Sequence, residues 1–170
     1  MEELIQEYLL DKDNNIIDTK NVIYDKNLLG LNYFDFADDL TLIKILKDIF
    51  KKVREKRKIF ITTYRCDNEK NMRLFELEII PLNNGILKLI HKLIKETNRS
   101  IELDLEKRSS ELFYLCAWCN RIKVGDNFIE IDDAVNKLKM LEYNYLPKFS
   151  HCMCEECKEK LLNEMEDFDK

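Results

Sequence analysis

Two cysteine pairs, Cys116-Ala-Trp-Cys119 and Cys154-Glu-Glu-Cys157, stand 34 residues apart in a chain of 170. A C-x-x-C turn lets two thiolates converge on one ion, and two such turns complete a tetrahedral shell of four sulfurs. The fold must therefore bring residues 116–119 and 154–157 together. The stretch between them has a shape suited to that. Residues 120–131 read as a hairpin turning at Gly125-Asp126, and Asp132 caps a short helix carrying Ala134, Val135, Leu138 and Leu141. The second pair opens a final helix from Glu155 to about Glu166. A knuckle, a hairpin and a ligand pair at a helix start predict a small treble-clef-like zinc-binding module. The positive end of the helix favours thiolates there.

Four thiolates suit zinc, with iron, as a single ion or a cluster, the alternative. His151 and Cys152 lie beside the second pair and are the alternative ligands. We read His151 as a capping or supporting group and Cys152 as a free thiol. Trp118 reads as core packed beneath the site. Asn120 follows Cys119, so the C-x-x-C-H signature of covalent haem attachment is missing.

Composition bounds the rest of the chain. With 45% hydrophobic residues there is enough apolar material for a core, and the length fits one domain plus a small module. Only three glycines occur, so neither a dinucleotide-binding glycine loop nor a Walker A loop can be built. Turns must rest on Asn and Asp, as at Asp13-Asn14-Asn15 and Asn83-Asn84-Gly85. No apolar run approaches the roughly 18–20 residues of a membrane span. The acidic opening MEELIQEYLL lacks the layout of a signal peptide, so we expect a cytoplasmic protein with no membrane partner. Charge is segregated: residues 1–40 carry net −7 and residues 44–73 net +7, within a total of −5. That pattern fits solvated faces, or a docking surface for an acidic partner.

Before the cysteine module, residues 7–18 read as a hairpin and residues 27–36 as short helical turns packed on a sheet. Residues 39–56 form the clearest helix, with an apolar stripe of Leu40, Ile43, Leu46, Ile49, Phe50 and Val53. Residues 58–67 and 72–80 read as strands. Residues 86–94 fit both periods, and the local pattern slightly favours a helix. Residues 95–112 read as a polar connector holding the domain boundary, which gives domains 1–105 and 106–170. Cys66 stands alone on a strand and reads as a small buried hydrophobe, with a redox-reactive thiol or haem ligand as the functional alternative. Arg65, Asp67 and Arg73 form a candidate charge network across two strands. His91 reads as a surface or satisfied polar residue.

With these segments placed, the chain resembles a family of bacterial PAS-like proteins with a C-terminal cysteine motif. The resemblance rests on Arg65-Cys66-Asp67, Met72-Arg73-Leu74, Pro81-Leu82 and Gly85. It continues through Cys116-Ala-Trp-Cys119-Asn-Arg-Ile122, Phe128 to Val135, and Pro147 on to Ser150-His151-Cys152-Met-Cys154-Glu-Glu-Cys157. The early YLLDKDNNIID stretch looks like the first hairpin of a PAS domain. Three positions depart from the pattern: Cys152 replaces a glycine, Glu155 a proline and Phe128 a tryptophan. None removes a candidate ligand. The resemblance implies an α+β fold, a PAS-like antiparallel sheet with flanking helices, in which residues 86–94 form the last strand. It also implies a signalling role.

The expected function is non-enzymatic sensing or regulation, with the metal site structural or redox-responsive. Four cysteines would close a zinc site that catalysis needs open, and no nucleophile–base arrangement accompanies them. The final helix is acidic (Glu155, Glu156, Glu159, Glu164, Glu166), which disfavours nucleic acid and favours a protein partner, including a homodimer.

Overall fold

Strand β1 (Ile5–Leu10) turns back into β2 (Ile16–Lys20) through a tight loop in the computed structural model, which describes residues 5–22, 28–37, 39–68, 70–98, 108–137 and 146–169. The turn is held by the Asp11 carboxylate, which accepts the backbone N–H groups of Asp13 and Asn15 at 2.9 and 2.8 Å. Asn14 supplies the positive φ of 68°. A short helical turn at Tyr33–Phe36 follows, then helix α1 (Leu40–Lys56). Asp39 caps α1 by accepting the Leu42 N–H at 2.6 Å, and Arg57 ends it in the left-handed region. Strands β3 (Phe60–Arg65), β4 (Asn71–Pro81) and β5 (Leu87–Asn98) complete a five-stranded antiparallel sheet in the order β2-β1-β5-β4-β3.

The helical reading of residues 86–94 is corrected here in favour of the strand that the resemblance implied. Leu87, Leu89 and His91 point to the buried face of β5, which pairs with β1 on one side and β4 on the other. A period that fits helix and strand equally is settled by two partners offering their hydrogen bonds. The connector expected at 95–112 is also shorter than the sequence suggests. β5 runs to Asn98, and β6 (Arg108–Cys116) already occupies the far end, leaving 99–107 outside the described residues.

The second sheet has the order β8-β7-β6-β9. β7 (Ile122–Val124) and β8 (Asn127–Ile129) form the expected hairpin, with Gly125 at φ 62° in its turn. Helix α2 (Ile131–Lys137) begins one residue earlier than expected, so Asp132 sits inside its first turn and does not cap it. Leu138 and Leu141 lie outside the described residues. β9 (Leu146–Cys152) runs parallel to β6, and α3 (Glu155–Asp169) closes the described chain.

One core joins both sheets. Leu10, Ile49, Phe50, Ile79 and Leu89 cluster with Cys116, Trp118, Cys154, Cys157 and Leu161. Three further contacts tie the cysteine segment to β3: the Arg65 N–H donates to the Trp118 carbonyl at 2.8 Å, the Lys160 ammonium donates to the Thr63 carbonyl at 3.1 Å, and Phe60 meets Phe168 edge-on. No helix among the described residues is long and apolar enough to cross a membrane.

Candidate metal centre

Cys116 ends β6, and the chain then turns sharply. The Asn120 N–H donates to the Cys116 carbonyl at 2.9 Å, and Asn120 takes φ 56°. Asn tolerates that left-handed conformation better than most side chains. The turn brings Cys119 back beside Cys116. The second pair comes from the start of α3, where Cys154 precedes the helix and Cys157 occupies its first turn. The parallel pairing of β6 and β9, with Cys116 opposite Cys152, sets the two pairs side by side.

The four sulfurs of Cys116, Cys119, Cys154 and Cys157 all lie within 4.8 Å of one another, with Cys119 Sγ and Cys154 Sγ 3.9 Å apart. A tetrahedral ion with metal–sulfur bonds of about 2.3 Å needs sulfurs roughly 3.8 Å apart, so this donor set fits a metal ion. The first two of its members are buried at Cys116 and half-buried at Cys119, and both members of the second pair are buried.

Without a cation, the cluster cannot ionise uniformly. Hydrogen bonds from the Cys119 and Cys157 thiols, and from the Cys154 N–H at 3.4 Å, hold Cys116 far below the usual thiol range. Cys157 is pushed far up, first by its thiol hydrogen bonds to Cys116 and Cys119. Burial pushes the Cys154 thiol up to about 11. One thiolate therefore forms easily and its neighbours resist. A divalent ion removes that resistance, since it favours all four thiolates together.

Arg121, which the sequence offered only as part of the motif around Cys119, proves to contact the sulfurs. Its Nε donates to Cys119 Sγ at 3.1 Å, and its Nη2 meets Glu156 at 2.6 Å. These contacts raise its own pKa, the Cys119 sulfur first. The signal was its place two residues after Cys119, where the knuckle returns the chain over the sulfurs. Such donors stabilise thiolate ligands and fix their orientation.

The remaining candidates divide. Cys152 stays outside the four-sulfur group, with its thiol pushed up by burial. His151 is exposed on β9, opposite Leu115, and also lies outside the group. Cys66 corrects its expectation: it is exposed, with its sulfur 3.9 Å from Arg73 Nη2. Arg65 does build a network, pairing with Asp67 and with Glu130 at 2.5 Å. Arg73 joins through its backbone N–H, which donates to Asp67 at 2.9 Å, and through Nε, which donates to the Cys66 carbonyl at 2.8 Å. Glu130, on the cysteine segment, makes this network a bridge between the sheets.

Beside the knuckle lies a cavity of about 590 Å³ between the first sheet, α1 and residues 117–118. Trp118 forms part of its wall, 5.5 Å from Tyr64 by ring centroids. His91 lines it too, buried and hydrogen-bonded to Tyr64 Oη at 2.8 Å. Burial lowers the His91 pKa to about 4, so the ring is neutral at pH 7. The place of Trp118 in the core beneath the sulfurs is the one the sequence suggested, whereas its place in the cavity wall was not legible, because that wall depends on the sheet. The sequence matches no protein-family model and no curated protein.

Proposed function

We propose that the protein is a non-enzymatic sensor or regulator in which a PAS-like ligand-binding sheet is coupled to a treble-clef-like zinc site. The observation that carries this reading is the cluster of four sulfurs within 4.8 Å. The strand order β2-β1-β5-β4-β3, with α1 connecting β2 to β3 across a cavity, supports the PAS-like half, residues 1–105. The knuckle, hairpin and helix-borne second pair support the treble-clef-like half, residues 106–170.

Zinc is the ion proposed, held by Cys116, Cys119, Cys154 and Cys157, and Arg121 supports the Cys119 thiolate. Bound there, it supplies a closed four-sulfur staple and leaves no coordination position for substrate. Iron is the alternative ion, with an electron-transfer role. A staple whose ligands oxidise is also a redox-sensitive element, because sulfenic acids and disulfides release the metal. Output passes to a protein partner, which includes a second copy of this chain; nucleic acid is disfavoured by the exposed acids of α3. The charge segregation along the chain fits solvated faces or a docking surface for an acidic partner.

Elemental analysis of protein purified anaerobically, without added metal, tests the reading. About one zinc per chain is expected, lost in Cys154→Ala. One iron per chain would replace the structural staple with a redox centre, and a metal-free folded protein would overturn the proposal. Peroxide should release the zinc; retention under peroxide sinks the redox-responsive half.

A further inference from the structure

The cavity beside the knuckle carries a chemical signature of its own. Its wall is built from aromatic rings: Tyr8, Tyr33, Tyr64, Phe75 and Trp118. Among its lining residues only one is charged at neutral pH, Arg73, since His91 is kept neutral by burial. Arg73 Cζ stands 5.6 Å from the Phe75 ring centroid, and no carboxylate among the described residues pairs with its guanidinium. The Trp118 Nε1–H is buried without a hydrogen-bond acceptor, in a side chain only 5% exposed. That N–H is sealed from open space, so what the indole lends the cavity is its ring. An aromatic slot of this size with one cation, Arg73, matches a planar apolar molecule bearing an anionic oxygen group.

We infer that the cavity binds a small aromatic carboxylate, and that Trp118 makes this binding and metal binding at the four sulfurs mutually reinforcing. The inference rests on the reading of the sulfur cluster as a metal site. Trp118 lies in the three-bond turn between two of the ligating cysteines, and its carbonyl accepts the Arg65 N–H of β3 at 2.8 Å. A knuckle closed on its ion fixes the indole in the cavity wall, and a ligand against the indole holds the knuckle in its closed form. Two events that favour one conformation of one residue are linked, and each must raise the affinity of the other by the same factor.

The test uses naphthoate as the probe and naphthamide as its neutral counterpart, on full-length protein whose zinc content is measured in the same samples. Calorimetry should show naphthoate binding to zinc-loaded protein at least about tenfold more tightly than naphthamide, the difference that one charge-assisted contact supplies. Arg73→Gln should remove that preference, bringing the affinities for naphthoate and naphthamide together. Trp118→Leu takes the ring out of the wall, so it should weaken both probes. Saturating naphthoate should raise zinc affinity severalfold in competition with a chromophoric chelator. Zinc-loaded protein that ignores naphthoate, or binds acid and amide alike, overturns the ligand assignment. An unchanged zinc affinity overturns the linkage. Protein that never holds zinc overturns the metal reading and the linkage together, while naphthoate binding to it still decides the cavity.

Discussion

His91 shows how one side chain can be both satisfied and costly. Its two ring nitrogens face tyrosine hydroxyls, Tyr64 at 2.8 Å and Tyr33 at 3.4 Å, in a setting too dry for an imidazolium. In the folded chain burial lowers its pKa to about 4, below the ordinary histidine value of 6.5. The unfolded chain therefore takes up a proton first as pH falls. Its contribution is fully present above pH 6.5 and is lost between 6.5 and 4, up to about 3 kcal/mol. Urea midpoints of wild type and His91→Gln, followed by circular dichroism across that range, should converge as pH falls. Parallel pH profiles would contradict the burial argument. The sequence showed a polar residue at an alternating position and no more, because the tyrosines that satisfy it come from elements 27 and 58 residues away.

Among the elements, α3 illustrates what periodicity conveys and what it omits. Its span and its acidic first turn were readable, and so was the hairpin of β7 and β8. Its seat against β3 was not, since that depends on Phe168 meeting Phe60 and on Lys160 reaching Thr63. Leu161 is fully buried in the shared core. Leu161→Ala should cost about 2–5 kcal/mol in chemical denaturation of the metal-loaded protein, whereas Leu162→Ala, at a half-buried position, should cost less. Strand β5 gives the complementary lesson. Its local spacing suited a helix, and only the neighbours β1 and β4 decided otherwise. Arg54 belongs to this class as well: from α1 it donates to the carbonyls of Asp11 and Gly85, joining two loops that are 74 residues apart in sequence. No local pattern announces such a clamp.

At the scale of the whole molecule, the sulfurs are part of the main core and do not form a separate nucleus. Cys116, Cys154 and Cys157 share one apolar cluster with Ile49 and Leu89. Chelation should accordingly destabilise the first sheet as well as the cysteine segment, with Trp118 fluorescence and backbone circular dichroism lost in one coincident transition. Two separated transitions would show that the halves fold independently. The candidate site was the most legible part of the sequence, because metal geometry dictates spacing. The cavity was the least, because its walls are gathered from β1, the helical turn at 33–36, α1, β3, β4, β5 and the turn at 117–118.

The edge of the first sheet has a fate tied to these sulfurs. β3 pairs with β4 on one side, and on the other its Arg65 N–H and Thr63 carbonyl are occupied by Trp118 and Lys160. Ile61 on that strand is 53% exposed. Should the ion be stripped and the knuckle swing away, an extended strand with an apolar flank would lie open to another chain. Depletion of the metal would then be felt as loss of solubility, and recovery would depend on how quickly the ion returned before strands paired between molecules.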